Sequence, residues 1–408
     1  MINALRGMKD LLDNDGKLYK FIVETCEEVA KNYGYEFCET PKMEETGLFK
    51  RSVGESSDIV GKEMYQFTDK GGNDVCLRPE GTAGVVRAFI EAKFDKAGGV
   101  KKYFYSGSMF RYERPQRGRL REFHQFGVEC FGESSVYEDA SVILMLSEIL
   151  NKFNIKTTLK INSLGDSECM PLYRQKLVKF LESKDGLCED CQRRIKTNPI
   201  RVLDCKNDHC QMLLKDAPLI TDNLNQICSS EFEKLKEILA QNGVKFEVDA
   251  RLVRGLDYYC KTAFEFVSDE IGSKSAVAGG GRYDRLVEFL GGKATPGVGW
   301  AMGIERIMEI LKQKELPNFR DGIYICALDN AYVNDIYKIA FELRKEHKVE
   351  VSYEAKSPNK HLNLADKKNA KIFLCIGEDE AKNSQIWYKN LDTKEEKRIN
   401  ISNLKGEL

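Results

Sequence analysis

The chain has 408 residues, enough for two or three domains at about 150 residues each, and its 42% hydrophobic and 31% charged residues let it bury a core. Lys+Arg 63 against Asp+Glu 64 leaves a net charge of −1, which excludes a polybasic binding tail and an acidic solvating chain. Thirteen cysteines, odd in number and mostly scattered singly through apolar runs (Cys26, Cys76, Cys130, Cys326, Cys375), exclude a disulfide scaffold and point to a reducing cytoplasm. The N-terminus lacks an apolar signal core, and no run is long enough for a membrane span.

In chain order, Leu18, Phe21, Ile22, Val29 and Tyr33 fall at helical spacing and predict an amphipathic helix over 17–33, ended by Gly34. Residues 35–40 alternate like a strand that Pro41 stops. A short strand at 75–78 precedes a helix starting near Thr82. Strands at 102–112 and 121–132 flank an Arg-rich loop, and a helix follows over 136–152. Residues 165–230 are polar, Cys-rich and helical in pattern, which reads as an insertion. Strands at 245–253 and 260–267 lead to a glycine triplet at 279–281, a helix over 282–290, and a buried strand running into a helix over 297–312. Beyond Pro317 the pattern is strand 322–328, helix 331–347, strand 348–354, helix 360–370 and strand 371–377. That alternation implies a small, mostly parallel α/β domain, whereas the adjacent strands before it suit an antiparallel sheet.

No G-x-x-x-x-G-K-[ST] phosphate loop occurs, and Gly297-Val298-Gly299-Trp300-Ala301-Met302-Gly303 misses G-x-G-x-x-G by one residue. Taken alone, Gly279-Gly280-Gly281 suits an ordinary turn. The sharpest local signal is Phe110-Arg111-Tyr112-Glu113-Arg114-Pro115-Gln116-Arg117-Gly118-Arg119-Leu120-Arg121-Glu122. Five arginines against two glutamates give it +3, with a turn at Pro115 and Gly118. Arginine's planar fork suits phosphate and carboxylate. Downstream, Gln125, Gly127 and Glu129 share one strand face and His124, Phe126 and Val128 the other. Polar groups beside an Arg hairpin suit a small, partly cationic ligand. In the insertion, Cys188-x2-Cys191 precedes Cys205-x4-Cys210 with His209 adjacent. This is half a zinc-knuckle pattern, and the second half lacks its tight spacing. Four reduced thiols is the simpler expectation, so no metal ligand is assigned.

These residues carry a resemblance. Phe110-Arg111-Tyr112-Glu113-Arg114-Pro115 looks like motif 2 of class II aminoacyl-tRNA synthetases. Pro41 after its helix–strand unit resembles motif 1, and Gly297 to Arg306 resembles motif 3. Leu252-Val253-Arg254-Gly255-Leu256-Asp257-Tyr258-Tyr259 and Ala278-Gly279-Gly280-Gly281-Arg282-Tyr283-Asp284 are similar to the two signatures peculiar to the histidyl-tRNA synthetase family. Five motifs occur in the family's order, and the likeness is weakest over the insertion.

The resemblance implies an α+β fold: a class II antiparallel sheet flanked by helices, a helical insertion, and a C-terminal α/β anticodon-binding domain. The corresponding pieces are 1–164, 165–230, 231–316 and 320–408. It implies a homodimer that activates L-histidine with ATP and Mg2+ and passes it to tRNA(His). Attack by an already ionised carboxylate needs positioning and charge neutralisation rather than a base. By resemblance Arg254 and Arg111 are catalytic, Arg254 lying between carboxylate and α-phosphate where related enzymes use a metal ion. Histidine would meet Glu80, Gly81, Thr82, Arg111, Gln125, Glu129, Arg254, Tyr258 and Tyr259. The ammonium would lie at Glu80, Thr82 and Gln125, and the imidazole at Glu129 and Tyr259. ATP would meet Arg111, Glu113, Arg119, Phe123 and Arg306, with Phe123 and Arg306 sandwiching adenine. Arg114 and Gln116 would meet the tRNA acceptor end.

Plainer readings stand beside these. Arg254 could be a structural ion pair with Asp257 or another acid. Tyr258 and Tyr259 could be core aromatics of which strand geometry lets one reach a pocket. Lys356, Lys360, Lys367, Lys368 and Lys371 could be a solvated face of a C-terminal domain whose 15 basic and 15 acidic residues over 321–408 balance. The alternative for the whole chain is the catalytically silent, synthetase-like regulatory subunit of ATP phosphoribosyltransferase. A stand-alone RNA-binding protein leaves the amino-acid pocket unexplained.

Overall fold

An eight-stranded sheet organises the first 315 residues, and its two faces have opposite chemistry. The computed structural model describes residues 2–54, 57, 59–272 and 275–408, so Met1, Glu55, Ser56, Asp58, Ser273 and Lys274 lie outside the description. The chain forms two units, Met1–Glu315 and Leu316–Leu408.

The first unit's described strands are β1 (Glu36–Phe37), β2 (Met43–Glu45), β3 (Gln66–Thr68), β4 (Asp74–Leu77), β5 (Lys101–Phe110), β6 (Glu122–Phe131), β7 (Thr158–Ser163), β8 (Phe246–Val248), β9 (Cys260–Ser268), β10 (Ser275–Arg282) and β11 (Gly297–Gly303). The main sheet runs β1-β5-β6-β11-β10-β9-β7-β8, while β2, β4 and β3 form a small sheet of their own. Pairing is antiparallel except at the two ends, where β1–β5 and β7–β8 are parallel.

Residues directly opposed across an antiparallel ladder share a face. Gln125 lies between Gly107 and Gly303, Gly127 between Tyr105 and Ala301, and Glu129 between Tyr103 and Gly299. Ala301 then opposes Gly279, and Gly279 opposes Glu265. This face is therefore polar and poor in side-chain bulk. On the other face Phe104, Phe126, Val128, Trp300 and Met302 are buried, with Phe126 stacked on Phe104 at 5.7 Å. Helices Asp13–Asn32 and Val136–Lys152 pack on the sheet and each other, burying Leu18, Ile22, Val29, Ile143 and Leu146.

Several boundaries differ from the sequence expectation. The first helix begins at Asp13, and the 35–40 strand shrinks to the two residues of β1. Residues 111–121 form the loop rather than strand ends, and 245–253 contributes only β8. The helix expected over 282–290 is the single turn Leu286–Phe289. The glycine triplet is not a turn: it is the middle of β10. A Cβ on Gly280 would lie 2.0 Å from the Gly299 carbonyl oxygen, so neighbouring backbone occupies the space a side chain would need.

Residues 169–241 carry helices Cys169–Glu182, Glu189–Thr197, Asp208–Leu213 and Gln226–Gln241. Tyr173, Leu177, Leu181, Val202, Leu214 and Ile220 form an apolar cluster of their own there. In the second unit, β12 (Ile323–Ala327), β13 (Val349–Val351) and β14 (Ile372–Ile376) are parallel, and β15 (Gln385–Asn390) and β16 (Glu396–Asn400) add an antiparallel hairpin. The order is β13-β12-β14-β15-β16. The last two strands were absent from the sequence reading because their alternation is mostly polar: in β16 only Ile399 is buried.

Arg282, at the end of β10, ties the sheet to the helix Val136–Lys152. Its guanidinium is buried, with Nε donating to Asp139 at 2.8 Å and Nη1 to Asp284 at 3.1 Å and the Glu133 carbonyl at 2.9 Å. Thr262 also donates to Asp139 at 2.6 Å. Arg282→Leu strands a buried carboxylate and is expected to destabilise by about 3–5 kcal/mol, much of it recovered when Asp139→Leu is added. Urea unfolding of both variants measures this, and a single variant as stable as the parent refutes it.

Candidate active site

The glycine-lined face of the sheet opens into a cavity of about 900 Å³, within the usual range for small-molecule sites. Glu80, Thr82, Arg111, Glu113, Arg119, Phe123, Gln125, Arg254, Tyr258, Tyr259 and Arg306 all line it. Eleven residues from four separated segments thus converge on one hollow. Four expected residues do not line it. Gly81 and Glu129 lie behind the wall, and Arg114 and Gln116 are exposed on the 111–121 loop.

Arg254 precedes β9 and reaches across it. Its Nη1 donates to Glu265 at 2.8 Å, and its guanidinium lies 5.8 Å from the Tyr259 ring centre. Burial works against its charge, but Tyr259 and Glu265 outweigh that and raise its pKa above the ordinary value. The ion-pair partner is Glu265 rather than Asp257, whose Oδ1 accepts from Asn198 Nδ2 at 2.7 Å. Room for the guanidinium exists because residue 279 is glycine: a Cβ there would lie 2.6 Å from Arg254 Nη1. The sequence reading missed Glu265. Its signal was a lone acid in the otherwise apolar run Ala263-Phe264-Glu265-Phe266-Val267.

At the other end of the cavity, Arg111 donates from Nε to the Pro79 carbonyl at 2.8 Å and lies over the Phe123 ring at 5.2 Å. Glu113 sits between Arg119 at 3.3 Å and Arg111 at 3.8 Å. Arg306 donates from Nη1 to the Ala276 carbonyl. Its pKa is lowered by burial and then by the nearby Arg119. Three guanidiniums thus share one wall with a single close acid, which leaves a local field suited to a polyanion.

The inner end is a network of acids and hydroxyls. Glu80 accepts from the backbone N–H of Thr82 at 2.8 Å and of Ala83 at 2.9 Å, and so caps the helix Thr82–Glu91. Burial raises its pKa. Thr82 donates to Glu129 at 2.7 Å, Tyr105 donates at 3.4 Å, and Tyr283 donates to the other carboxylate oxygen. Glu129 thus backs the cavity wall and takes three hydroxyl hydrogen bonds from within the protein. Burial pushes its pKa up to about 8. Tyr105 and Tyr283 were not anticipated as site residues, although Tyr283 lies within the second quoted signature.

Both Tyr258 and Tyr259 line the cavity, with ring centres 4.6 Å apart. The expectation that only one could enter rested on strand alternation. Residues 256–259 form a turn ahead of β9, so that rule does not apply. Three buried polar atoms around the hollow, Gln125 Oε1, Arg254 Nε and the Tyr258 hydroxyl, have no hydrogen bond of good geometry. Such groups ordinarily find partners, and their convergence on one cavity marks places for a ligand's polar atoms.

The comparisons with known proteins agree with this geometry. Residues 7–307 match the family model described as histidyl-tRNA synthetase, and 322–408 match that of an anticodon binding domain. The chain belongs to the histidyl-tRNA synthetase family. It is 84% identical to a histidine–tRNA ligase of Campylobacter fetus subsp. fetus, over all of both chains. Among solved structures it resembles apo S. aureus histidyl-tRNA synthetase, with a TM-score of 0.81 and 34% identity over 100% of this chain and 99% of that one. An ATP phosphoribosyltransferase regulatory subunit/histidyl-tRNA synthetase from Bacillus halodurans matches with a TM-score of 0.66, covering 92% of this chain and 98% of its own. At 20% identity that likeness is one of fold alone.

In this synthetase-family site Glu129 yields a pH prediction. An acid whose folded-state pKa is about 8, against an ordinary 4.5, stabilises the fold fully below pH 4.5 and loses that contribution as pH rises toward 8. Glu129→Gln removes the titration. Its stability relative to the parent should therefore climb across that window, by up to about 1.4 kcal/mol per pH unit. Urea midpoints near both ends of the window test this, and equal pH slopes in the two proteins would show that Glu129 ionises normally.

Proposed function

We propose that this chain activates L-histidine with ATP, forming histidyl-adenylate and pyrophosphate, and then transfers the histidyl group to the 3′ end of tRNA(His), releasing AMP. The observation that carries the reading is Arg254. A guanidinium held by Glu265 lies on one cavity with the acid–hydroxyl end at Glu80 and Thr82 and the arginine end at Arg111 and Arg306.

In the first step the histidine carboxylate attacks the α-phosphorus and pyrophosphate leaves. No proton need move, so the protein's task is to hold the two anions together and offset the charge that develops. Arg254, already fixed by Glu265 and backed by Tyr259, meets that demand without reorganising. Arg111 and Arg306 take the phosphates, assisted by Arg119, while Phe123 and Arg306 flank the adenine. Glu80, Thr82 and Gln125 receive the ammonium group. Tyr259, with Glu129 acting through the hydroxyls of Thr82 and Tyr283, bounds the imidazole end. A site that pairs both ring nitrogens rejects apolar isosteres, which would leave buried groups unpaired. Mg2+ would enter with the triphosphate and neutralise phosphoryl charge, and Glu113 on the cavity wall is a hard oxygen donor suited to it.

Arg114 and Gln116, exposed at the loop tip, face the tRNA acceptor end in this reading, and the 320–408 domain takes the anticodon. Residues 1–164 and 231–316 then form the catalytic body, with 165–230 inserted. The five lysines around 356–371 are exposed or half-buried, and Lys356 and Lys368 pair with Glu354 and Glu350. A homodimer is part of the proposal, supported by exposed Phe37 on the edge strand β1 and exposed Met43 and Phe67 on the small sheet. Among the described residues no helix is long and apolar enough to cross a membrane, and the reaction belongs in the cytoplasm. The regulatory-subunit alternative is set aside because Arg111, Arg254 and Arg306 all line the cavity and the C-terminal unit is present.

Histidine-dependent exchange of labelled pyrophosphate into ATP tests the reading, and purified protein without exchange defeats it. Arg254→Ala is expected to cut exchange by about 100-fold or more while calorimetry still detects histidine binding. An unchanged exchange rate would remove Arg254 from its role.

A further inference from the structure

The four cysteines of the insertion come together. Cys188 precedes the helix Glu189–Thr197 and Cys191 lies in its first turn, while Cys205 follows the 3-10 turn Pro199–Asp204. Cys210 returns toward them because Asn207 caps the helix Asp208–Leu213, its side chain accepting from the Cys210 N–H at 3.2 Å. That return makes up for the loose Cys205-x4-Cys210 spacing. All four sulfurs lie within 4.8 Å of one another, and Cys188 Sγ is 3.8 Å from Cys205 Sγ.

That separation discriminates between chemistries. A disulfide needs about 2.05 Å. A tetrahedron with metal–sulfur bonds of about 2.3 Å has sulfur–sulfur edges of about 3.8 Å. The local donors agree: the Cys188 N–H points to Cys210 Sγ at 3.3 Å and the Asn207 N–H to Cys205 Sγ at 3.4 Å, an arrangement that favours thiolates. Cys191, Cys205 and Cys210 are buried beside Leu187, Val202 and Leu214, and His209 is exposed outside the group. Four soft donors with no carboxylate and no open position describe a structural site rather than a catalytic one.

We propose that Cys188, Cys191, Cys205 and Cys210 bind one structural zinc ion as a tetrathiolate, each thiol releasing its proton to solvent. The ion fastens the segment that braces the Arg254 loop. From that segment Asn198 Nδ2 donates to Asp257 and Arg201 Nη1 donates to the Gly255 carbonyl at 2.6 Å, while Leu203 and Lys206 line the cavity. Cys205 itself borders the cavity, so zinc here holds a stretch of its wall in place and takes no part in the chemistry.

A second group, Asp166, Cys169 and Cys228, also clusters, but its carboxylate already accepts from the Cys169 and Glu168 N–H groups and from Asn225 Nδ2. It supplies the control. Full-length protein expressed without added zinc and purified without chelators should contain about one zinc per chain by mass spectrometry. Metal-free protein given Co2+ under reducing conditions should develop thiolate charge-transfer absorption and the intense visible bands of a tetrahedral site. Cys188→Ser/Cys205→Ser should lose both signals, and Cys169→Ser/Cys228→Ser should keep them. Protein that carries no zinc and gives no cobalt spectrum with all thiols reduced overturns the proposal. So does zinc that persists in the first variant or vanishes only in the second. Should the first variant fail to fold, the cobalt spectrum of the parent protein decides by itself.

Discussion

The structure depends on side-chain volume withheld from one face of a sheet. A buried charged group must bring its partners with it, and both need space that a well-packed interior does not leave. Here the space comes from glycines. A Cβ on Gly299 would lie 2.1 Å from Glu129 Oε2, one on Gly279 2.6 Å from Arg254 Nη1, and one on Gly127 2.4 Å from the Tyr105 hydroxyl. Each glycine vacates a position that a polar side chain from a neighbouring element then fills. The opposite face carries the aromatic packing that stabilises the sheet, so the hollow on the first face costs little of the core.

That constraint explains why the glycine triplet misled the sequence reading. Glycine is read locally as a breaker, because its usual role is to supply unusual backbone angles. Gly279 and Gly280 sit in extended backbone, and what demands them is a neighbour on another strand, which no local rule can see. The same limit hid Glu265 as the partner of Arg254 and hid the hydroxyls of Thr82, Tyr105 and Tyr283 that gather on Glu129. What was legible had strong local signals: the long amphipathic helices, the Arg hairpin, the parallel strands of the C-terminal unit, and the motif residues that converge on the cavity. Polar edge strands such as β16 carry little periodic signal, and turns such as 256–259 break the alternation that was used to orient Tyr258 and Tyr259.

The cavity is polarised along its length. At one end Arg111, Arg119 and Arg306 crowd together, close enough that Arg119 helps to lower the pKa of Arg306. At the other end Glu80 and Glu129 are both pushed upward by burial. Each end is thus held away from its own electrostatic comfort. A polyanion at the first end and a cationic amino group at the second relieve both at once. Arg254 lies between, tied to half-buried Glu265 at 2.8 Å and backed by Tyr259, and so it is held in place rather than free to follow a substrate. Fixed charge at the junction and frustrated charge at the ends is an arrangement that favours the state in which both ligands are drawn toward the middle.

The net charge of −1 now has a physical interpretation. A chain of this balance cannot bind a polyanion by bulk attraction, so attraction has to be local and shaped. The arginines that matter lie on a loop tip and a cavity wall, and much of the remaining positive charge is neutralised by surface pairs such as Lys20–Glu24, Lys345–Glu342 and Lys382–Glu378. Exposed pairs of this kind add little stability. Their effect is to deny a long nucleic acid alternative footholds, leaving recognition to the few positions where guanidiniums stand without close partners. Electroneutrality is in this sense a condition for specificity, and the glycine-lined hollow is where the remaining field is concentrated.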